Sequence, residues 1–276
     1  MPNPSPARMH DFEVISNEKI ADGIFSLVIS APRLASALKP GQFVNIRVPG
    51  DPSELLRVPL SYVAADPERV TVEIWYAVVG KGTQRMSEWG RGFTSDLLGP
   101  GGHGWRVPEG ARRVLVVGGG IGVPPVLCLA RELAEAGVAV DAQGADREFV
   151  AVDACVGSAT AAKLVGVEDF EALGAGEVCV ATDDGTAGLH GFCTESAAEL
   201  LSSHEYDYVA TCGPGVMMSK VAASAAEAGV YCEASLERMM SCGFGACSTC
   251  NVETTDGMQG ACMCGPVFDA TKVVVW

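Results

Sequence analysis

Between residues 11 and 105, apolar and polar side chains alternate in short runs broken by turn residues: "GIFSLVISAP", "GQFVNIRVPG", "PLSYVAA" and "RVTVEIWYAVVG". Alternation with a period of two marks strands covered on one face, so this stretch predicts a small antiparallel β-barrel. From Arg112 the pattern changes. "RRVLVVGGG" is an unbroken apolar strand running into glycines, and "PPVLCLARELAEAG" carries apolar residues at helical spacing up to Gly137. Together they predict a βα unit. The strand-like runs "FVAVDACVG", "EVCVATDDG" and "YDYVATCGPG" follow, separated by the helical stretches "GFCTESAAELLSSH" and "GVMMSKVAASAAEAG". This is the alternation of a parallel α/β sheet. From about Tyr231 the chain is too short for a core of its own and is dense in Cys and Gly, which predicts a segment organised around a metal centre. The expected layout is multi-domain: a β-barrel over 10–107, an α/β domain over 108–230 and a small C-terminal segment over 231–276.

The 276 residues are 48% apolar, enough to bury more than one core. A net charge of −15 removes nucleic acid and anionic membranes from the candidate partners, because no basic patch is left to neutralise phosphates. Val114 to Ala130 carries no charge, but three glycines and Pro124-Pro125 break it where a membrane-spanning helix needs continuous hydrogen bonding. The opening "MPNPSPARMH" lacks the apolar stretch of a secretory signal, so the cytosol is the expected compartment. There, eleven cysteines read as thiols or metal ligands rather than disulfides.

Candidate chemistry concentrates in three places. In "SCGFGACSTCNVETTDGMQGACMCGPVF", Cys242, Cys247 and Cys250 stand as C-x4-C-x2-C, with Cys262 and Cys264 about a dozen residues on. That is the spacing of plant-type [2Fe–2S] sites, and Gly243, Gly245 and Ala246 let the loop wrap close to inorganic sulfide with backbone N–H groups turned toward it. A structural zinc site is the competing reading, although it more often uses two C-x2-C pairs. Spacing barely separates Cys262 from Cys264 as the fourth ligand, since in an extended segment both would face the same way. In the barrel, "LRVPLSYV" and "GKGT" bring Arg57 and the backbone of Gly80, Gly82 and Thr83 as candidates for a pyrophosphate, with Arg57 as counter-charge. The bland alternative is a sheet edge at Pro59 and a solvated Arg57. In the α/β part, "VVGGGIGVPP" sets Gly119, Gly120 and Gly122 between a strand and a helix N-terminus, either to hold dinucleotide phosphates or to make a tight turn. Two later strand ends lie where such sheets bind ligands. Asp183 or Asp184 meets a ribose hydroxyl or caps the next element; Cys212, beside Gly213, lines a nicotinamide pocket or is a small buried thiol. No Ser/His/Asp set can be assembled, so no acid–base catalyst is assigned.

In chain order, R-x-P-x-S, G-x-G-T, G-G-G-I-G-x-x-P, D-D-G, C-G-P and C-x4-C-x2-C resemble the ferredoxin-reductase-like flavoproteins that carry a C-terminal [2Fe–2S] domain. "CEASLERMMSCGFGACSTC" with "CMCGPVF" is similar, more narrowly, to the electron-transfer subunits of class 1B dihydroorotate dehydrogenase, and the likeness runs over nearly the whole chain. The resemblance implies FAD on the barrel, NAD(H) on the α/β domain and the cluster in the tail. By position it implies flavin contacts at Val58, Pro59, Leu60, Ser61, Trp75, Tyr76, Ala77, Gly82 and Thr83, and its register makes Cys262 the fourth ligand. It also implies a partner: an FMN-containing catalytic subunit that oxidises dihydroorotate in pyrimidine biosynthesis, joined in a heterotetramer and passing electrons by way of the cluster and FAD to NAD+.

Two departures stand out. Many relatives have Arg directly before the proline, where this chain has Val58, so Arg57 supplies the charge from one residue earlier or it is missing. After the second strand of the nucleotide domain, Gly157-Ser158-Ala159 replaces the family's Gly-Ala-Arg, preceded by an enlarged loop "DAQGADRE", which disfavours NADP. Two other functions fit parts of the pattern. One is the small subunit of an NADH-dependent ferredoxin:NADP oxidoreductase, whose relatives typically have Asp in place of the first cluster cysteine. The other is a passive metal-binding redox module that docks on a partner without turning over nucleotide.

Overall fold

The computed structural model describes residues 7–50, 55–136 and 150–276. The expected helix end at Gly137 and the loop "DAQGADRE" lie outside the described residues. The chain forms two compact units, one running to Gly104 and including Leu236–Val267, the other spanning Trp105–Ser235 with Phe268–Val274.

The first unit holds strands β1 (Arg8–Ala21), β2 (Ile24–Ser30), β3 (Phe43–Ile46), β4 (Val58–Ser61), β5 (Ala64–Asp66), β6 (Thr71–Ala77) and β7 (Thr94–Gly101), with short helices α1 (Pro32–Ala35) and α2 (Lys81–Met86). They pair as one antiparallel sheet in the order β4-β3-β7-β1-β2-β6-β5. β4 at one end of that order touches β6 near the other, so the sheet curls on itself. The alternation read in the sequence becomes an inward face: Val14, Leu27, Ile29, Val44, Ile46, Val72, Ile74 and Leu97 are fully buried. The expected barrel is present.

The second unit holds β8 (Arg113–Gly119), β9 (Ala151–Ser158), β10 (Val178–Thr182), β11 (Leu189–His190), β12 (Tyr208–Cys212) and β13 (Cys232–Ser235), with α3 (Val123–Ala136), α4 (Val167–Ala172), α5 (Cys193–Ser203) and α6 (Gly215–Glu227). A hairpin of β14 (Asn251–Thr254) and β15 (Gly257–Gly260) lies in the first unit, and β16 (Val267–Asp269) is the last strand of the chain. The larger sheet runs β11-β10-β9-β8-β12-β13-β16. Its pairs from β11 through β13 are parallel, as the sequence predicts. Cys232–Ser235, read from the sequence as the start of the C-terminal segment, pairs with β12 inside this sheet. Glu233 anchors it there. The carboxylate is fully buried and accepts hydrogen bonds from the hydroxyls of Tyr208 (2.6 Å) and Tyr231 (3.2 Å), and from Arg106 through Nε (2.7 Å) and the backbone N–H (2.8 Å). A buried charge is tolerated only with that degree of satisfaction. From β8 the chain first adds strands on one side and then returns to add β12 on the other. That makes the β8–β12 boundary the switch point at which open α/β sheets bind ligands.

Candidate functional site

At the switch point, Gly118 of β8 lies opposite Cys212 of β12. A single 3-10 turn, Gly120–Gly122, joins β8 to α3. A Cβ on Gly122 would lie 2.3 Å from the Cys212 carbonyl oxygen and 2.6 Å from the Gly213 nitrogen, and one on Gly213 would lie 3.1 Å from Gly119 Cα. Only glycines let these backbones meet. Pro124 and Pro125 sit in the first turn of α3, where backbone N–H groups have no intrahelical acceptor to lose. Beside this contact opens a cleft of about 340 Å³, lined among others by Gly119, Gly120, Ser158, Asp183, Phe192 and Lys220.

The two aspartates separate here. Asp183 lines the cleft, while Asp184 accepts from the Thr186 hydroxyl (2.6 Å) and backbone N–H (3.0 Å), bonds that hold its carboxyl below the usual range and cap the local turn. Cys212 is buried, with its carbonyl against Gly122. Phe192 and Lys220 escaped the sequence reading. Phe192 is 53% exposed at the N-cap of α5, with Lys220 Nζ 5.3 Å from its ring centre. An exposed aromatic just ahead of an amphipathic helix was the available signal. The lining thus carries an acid at the end of β10 and a cation from α6, with Ser158 and Ala159 at the end of β9 where the family pattern has arginine.

On the barrel, β4, which is Val58–Ser61, touches β6, the strand that ends in Trp75–Ala77. Arg57, just ahead of β4, and Val58, its first residue, meet different partners. A Cβ on Gly82 would lie 2.9 Å from Val58 Cγ2, so Val58 is the side chain that meets the start of α2. Arg57 instead pairs with Asp96 of β7, and its guanidinium also donates to the carbonyls of Asn45 (3.4 Å) and Asp96 (3.3 Å). Thr83 closes its own turn: its hydroxyl accepts from the backbone N–H groups of Val79 (2.9 Å) and Gly80 (3.1 Å). The Tyr76 ring is fully buried, stacked on Phe25, and burial raises its hydroxyl to about 12. The Trp75 indole donates to Glu73 at 2.7 Å. Both positions therefore offer a ligand mainly their backbone.

The thiols of the C-terminal loop differ in their surroundings. Cys247 is exposed, and hydrogen bonds from Thr249 and then from Cys242 bring it down to about 6. Cys262 is buried, and burial together with the adjacent Cys250 thiol pushes it up to about 12. Backbone N–H groups already point at sulfur: Ala246 donates to Cys242 Sγ (3.3 Å) and Cys262 to Cys250 Sγ (3.4 Å). Gly243 and Gly245 hold left-handed φ values of +76° and +86°, and a Cβ on Gly245 would lie 2.7 Å from Met263. Among the described residues no three His, Cys, Asp or Glu side chains gather around one point. Backbone N–H groups aimed at thiol sulfur from a C-x4-C-x2-C loop fit a [2Fe–2S] cluster, whose sulfurs accept such bonds.

Residues 237–274 match the family model of the iron-sulfur cluster binding domain of dihydroorotate dehydrogenase B. The chain is 34% identical to the dihydroorotate dehydrogenase B (NAD(+)), electron transfer subunit, of Clostridium acetobutylicum over 264 residues, 95% of this chain and 96% of that protein. With the subunit of the same name from Bacillus caldolyticus it shares 38% over 269 residues, 95% and 97% of the two chains. Among solved structures, an NADH-dependent reduced ferredoxin-NADP oxidoreductase matches with a TM-score of 0.82 at 29% identity, over 99% of this chain and 91% of that one. The ferredoxin reductase in carbazole 1,9a-dioxygenase, with a TM-score of 0.61 at 21% identity over 82% of this chain and 67% of its own, shares the fold.

Proposed function

We propose, from the premise that this chain belongs to the family of electron transfer subunits of dihydroorotate dehydrogenase B, that it carries electrons from an FMN-containing, dihydroorotate-oxidising subunit to NAD+ within a heterotetramer. The observation that carries the reading is the thiol loop itself, in which backbone N–H groups of Ala246 and Cys262 point at the sulfurs of Cys242 and Cys250, within the same compact unit as the flavin motif. When bound, a [2Fe–2S] cluster and FAD supply the chemistry that exchanges single electrons with electron pairs. Cys242, Cys247, Cys250 and Cys262 would hold the first. Val58–Ser61, the backbone of Trp75–Ala77 and the first turn of α2 at Gly82 and Thr83 would hold the second. Gly119, Gly120, Gly122 and Gly213 would let the nucleotide's phosphates approach the backbone at the switch point, with Cys212 behind them and Asp183 facing a ribose hydroxyl. Exposed Met239 and Phe244 flank the thiol loop, an apolar surface suited to a docking partner. Among the described residues no helix is long and apolar enough to cross a membrane, and eleven free cysteines fit a reducing cytosol.

Purified alone, the chain is expected to be yellow-brown and to reduce dyes with NADH, but not to oxidise dihydroorotate; co-expression with the catalytic subunit should add dihydroorotate-dependent NAD+ reduction. Dihydroorotate oxidation by the pure chain would overturn this division of labour. Because its partner is Asp96, Arg57→Ala is expected to leave FAD content unchanged and to lower barrel stability by about 1–2 kcal/mol. A variant of normal stability that loses FAD on dialysis would return the pyrophosphate role to Arg57.

A further inference from the structure

Asn45 on β3 is 1% exposed, yet neither its Nδ2 nor its Oδ1 has a hydrogen-bond partner; among the described residues the only other such buried side-chain atom is the Thr211 hydroxyl. Burying an unpartnered amide is costly, and a persistent exception calls for a ligand. The surroundings say which one. Val44 and Ile46 turn to the other face, into the barrel core, while Pro59 of β4 lies directly opposite Asn45. In front of the amide is the thiol loop: a Cβ on Gly243 would lie 2.2 Å from Asn45 Nδ2. Gly243 follows Cys242; its missing Cβ leaves room for the amide, and its left-handed φ of +76° disfavours any other residue there.

We propose that Asn45 is a positioning residue for the cluster, its carboxamide N–H donating to a sulfur, thiolate or inorganic sulfide, held by the loop Cys242–Cys250. The inference rests on the cluster reading given above. An N–H donor stabilises the reduced, more negative cluster more than the oxidised one, and so raises its potential without adding charge. β3 is hydrogen-bonded to β4, so the same residue ties the flavin strand to the thiol loop.

The test compares wild type, Asn45→Leu and Asn45→Asp as full chains co-purified with the catalytic subunit, by EPR-monitored redox titration, resonance Raman of the iron–sulfur stretches, FAD content and melting temperature. Both variants are expected to keep FAD; Asn45→Leu should melt as wild type, whereas Asn45→Asp, which buries a carboxylate, should melt lower. The cluster's one-electron reduction constant should fall about tenfold, or about 59 mV, and further in the Asp variant. If one variant fails to fold, the other decides. Loss of the cluster from a variant with normal FAD content and melting also supports the contact. Unchanged potential and Raman bands, a change confined to the flavin spectrum, or cluster loss that merely follows a lowered melting temperature overturns it. A wild type that never shows a cluster signal sinks the underlying reading instead.

Discussion

Cys262→Ser is expected to strip the protein of its cluster, whereas Cys264→Ser is expected to leave the visible and EPR signatures in place. The two thiols are chemically alike and two residues apart, but their surroundings differ. Cys262 is 2% exposed, its thiol lies against Cys250, and its N–H points at Cys250 Sγ. Cys264 is half-buried, and its backbone N–H closes a turn on the Gly260 carbonyl (2.8 Å), as does that of Met263 (3.0 Å). Residues 261–264 are therefore a turn, not the extended segment in which i and i+2 share a face, so Cys264 is not poised to replace its neighbour. Loss of groups that merely support metal ligands costs roughly 10–100-fold in affinity, and loss of a ligand should cost at least that. Iron content and the reduced-state EPR signal give the readout. A bleached Cys264→Ser protein beside an intact Cys262→Ser protein would move the ligand by two residues, and zinc in place of a reducible cluster in both would end the redox reading.

Gly122→Ala should have the second large effect, on nucleotide chemistry and on the stability of the switch point, but not on the flavin or the cluster. The added Cβ would meet backbone on both sides, the Cys212 carbonyl at 2.3 Å and the Gly213 nitrogen at 2.6 Å, and neither can rotate away as a side chain would. The ends of β8 and β12 must spread, costing about 1–3 kcal/mol or more in stability. Displacement of about 1 Å at a reacting site costs on the order of 100-fold, so NADH-driven dye reduction should fall by that factor while FAD and cluster spectra persist. Gly90→Ala, where an added Cβ meets nothing within 4 Å, is the matched control. Equal activity in the two variants would remove the switch point from the nucleotide site.

Much of this protein was legible without coordinates, and for local reasons. Periods of two and of helical spacing are properties of neighbouring residues, so the barrel strands, the parallel strands and the helices between them could be read directly. The C-x4-C-x2-C run is equally local, because one loop must supply three thiols. Even the missed Asn45 left a trace, a polar residue among the apolar positions of "GQFVNIRVPG".

Tertiary structure decided what depends on pairing between distant segments. Whether Arg57 or Val58 faces the start of α2 turns on the register of β4 against β3, which sends Arg57 to Asp96, a residue far along the chain. Cys232–Ser235 looked like the start of the thiol segment until β12 provided its hydrogen bonds and Arg106, Tyr208 and Tyr231 gathered on Glu233. Asp183 differs from Asp184, and Cys262 from Cys264, only through what lies beside each, since identical side chains carry no local mark of their partners. Composition and periodicity thus determined the elements and the cysteine loop, while register and crossover order determined which atoms face the cleft, the flavin strand and one another. The backbone repeats identically along the chain, so only the fold tells one residue's surroundings from the next.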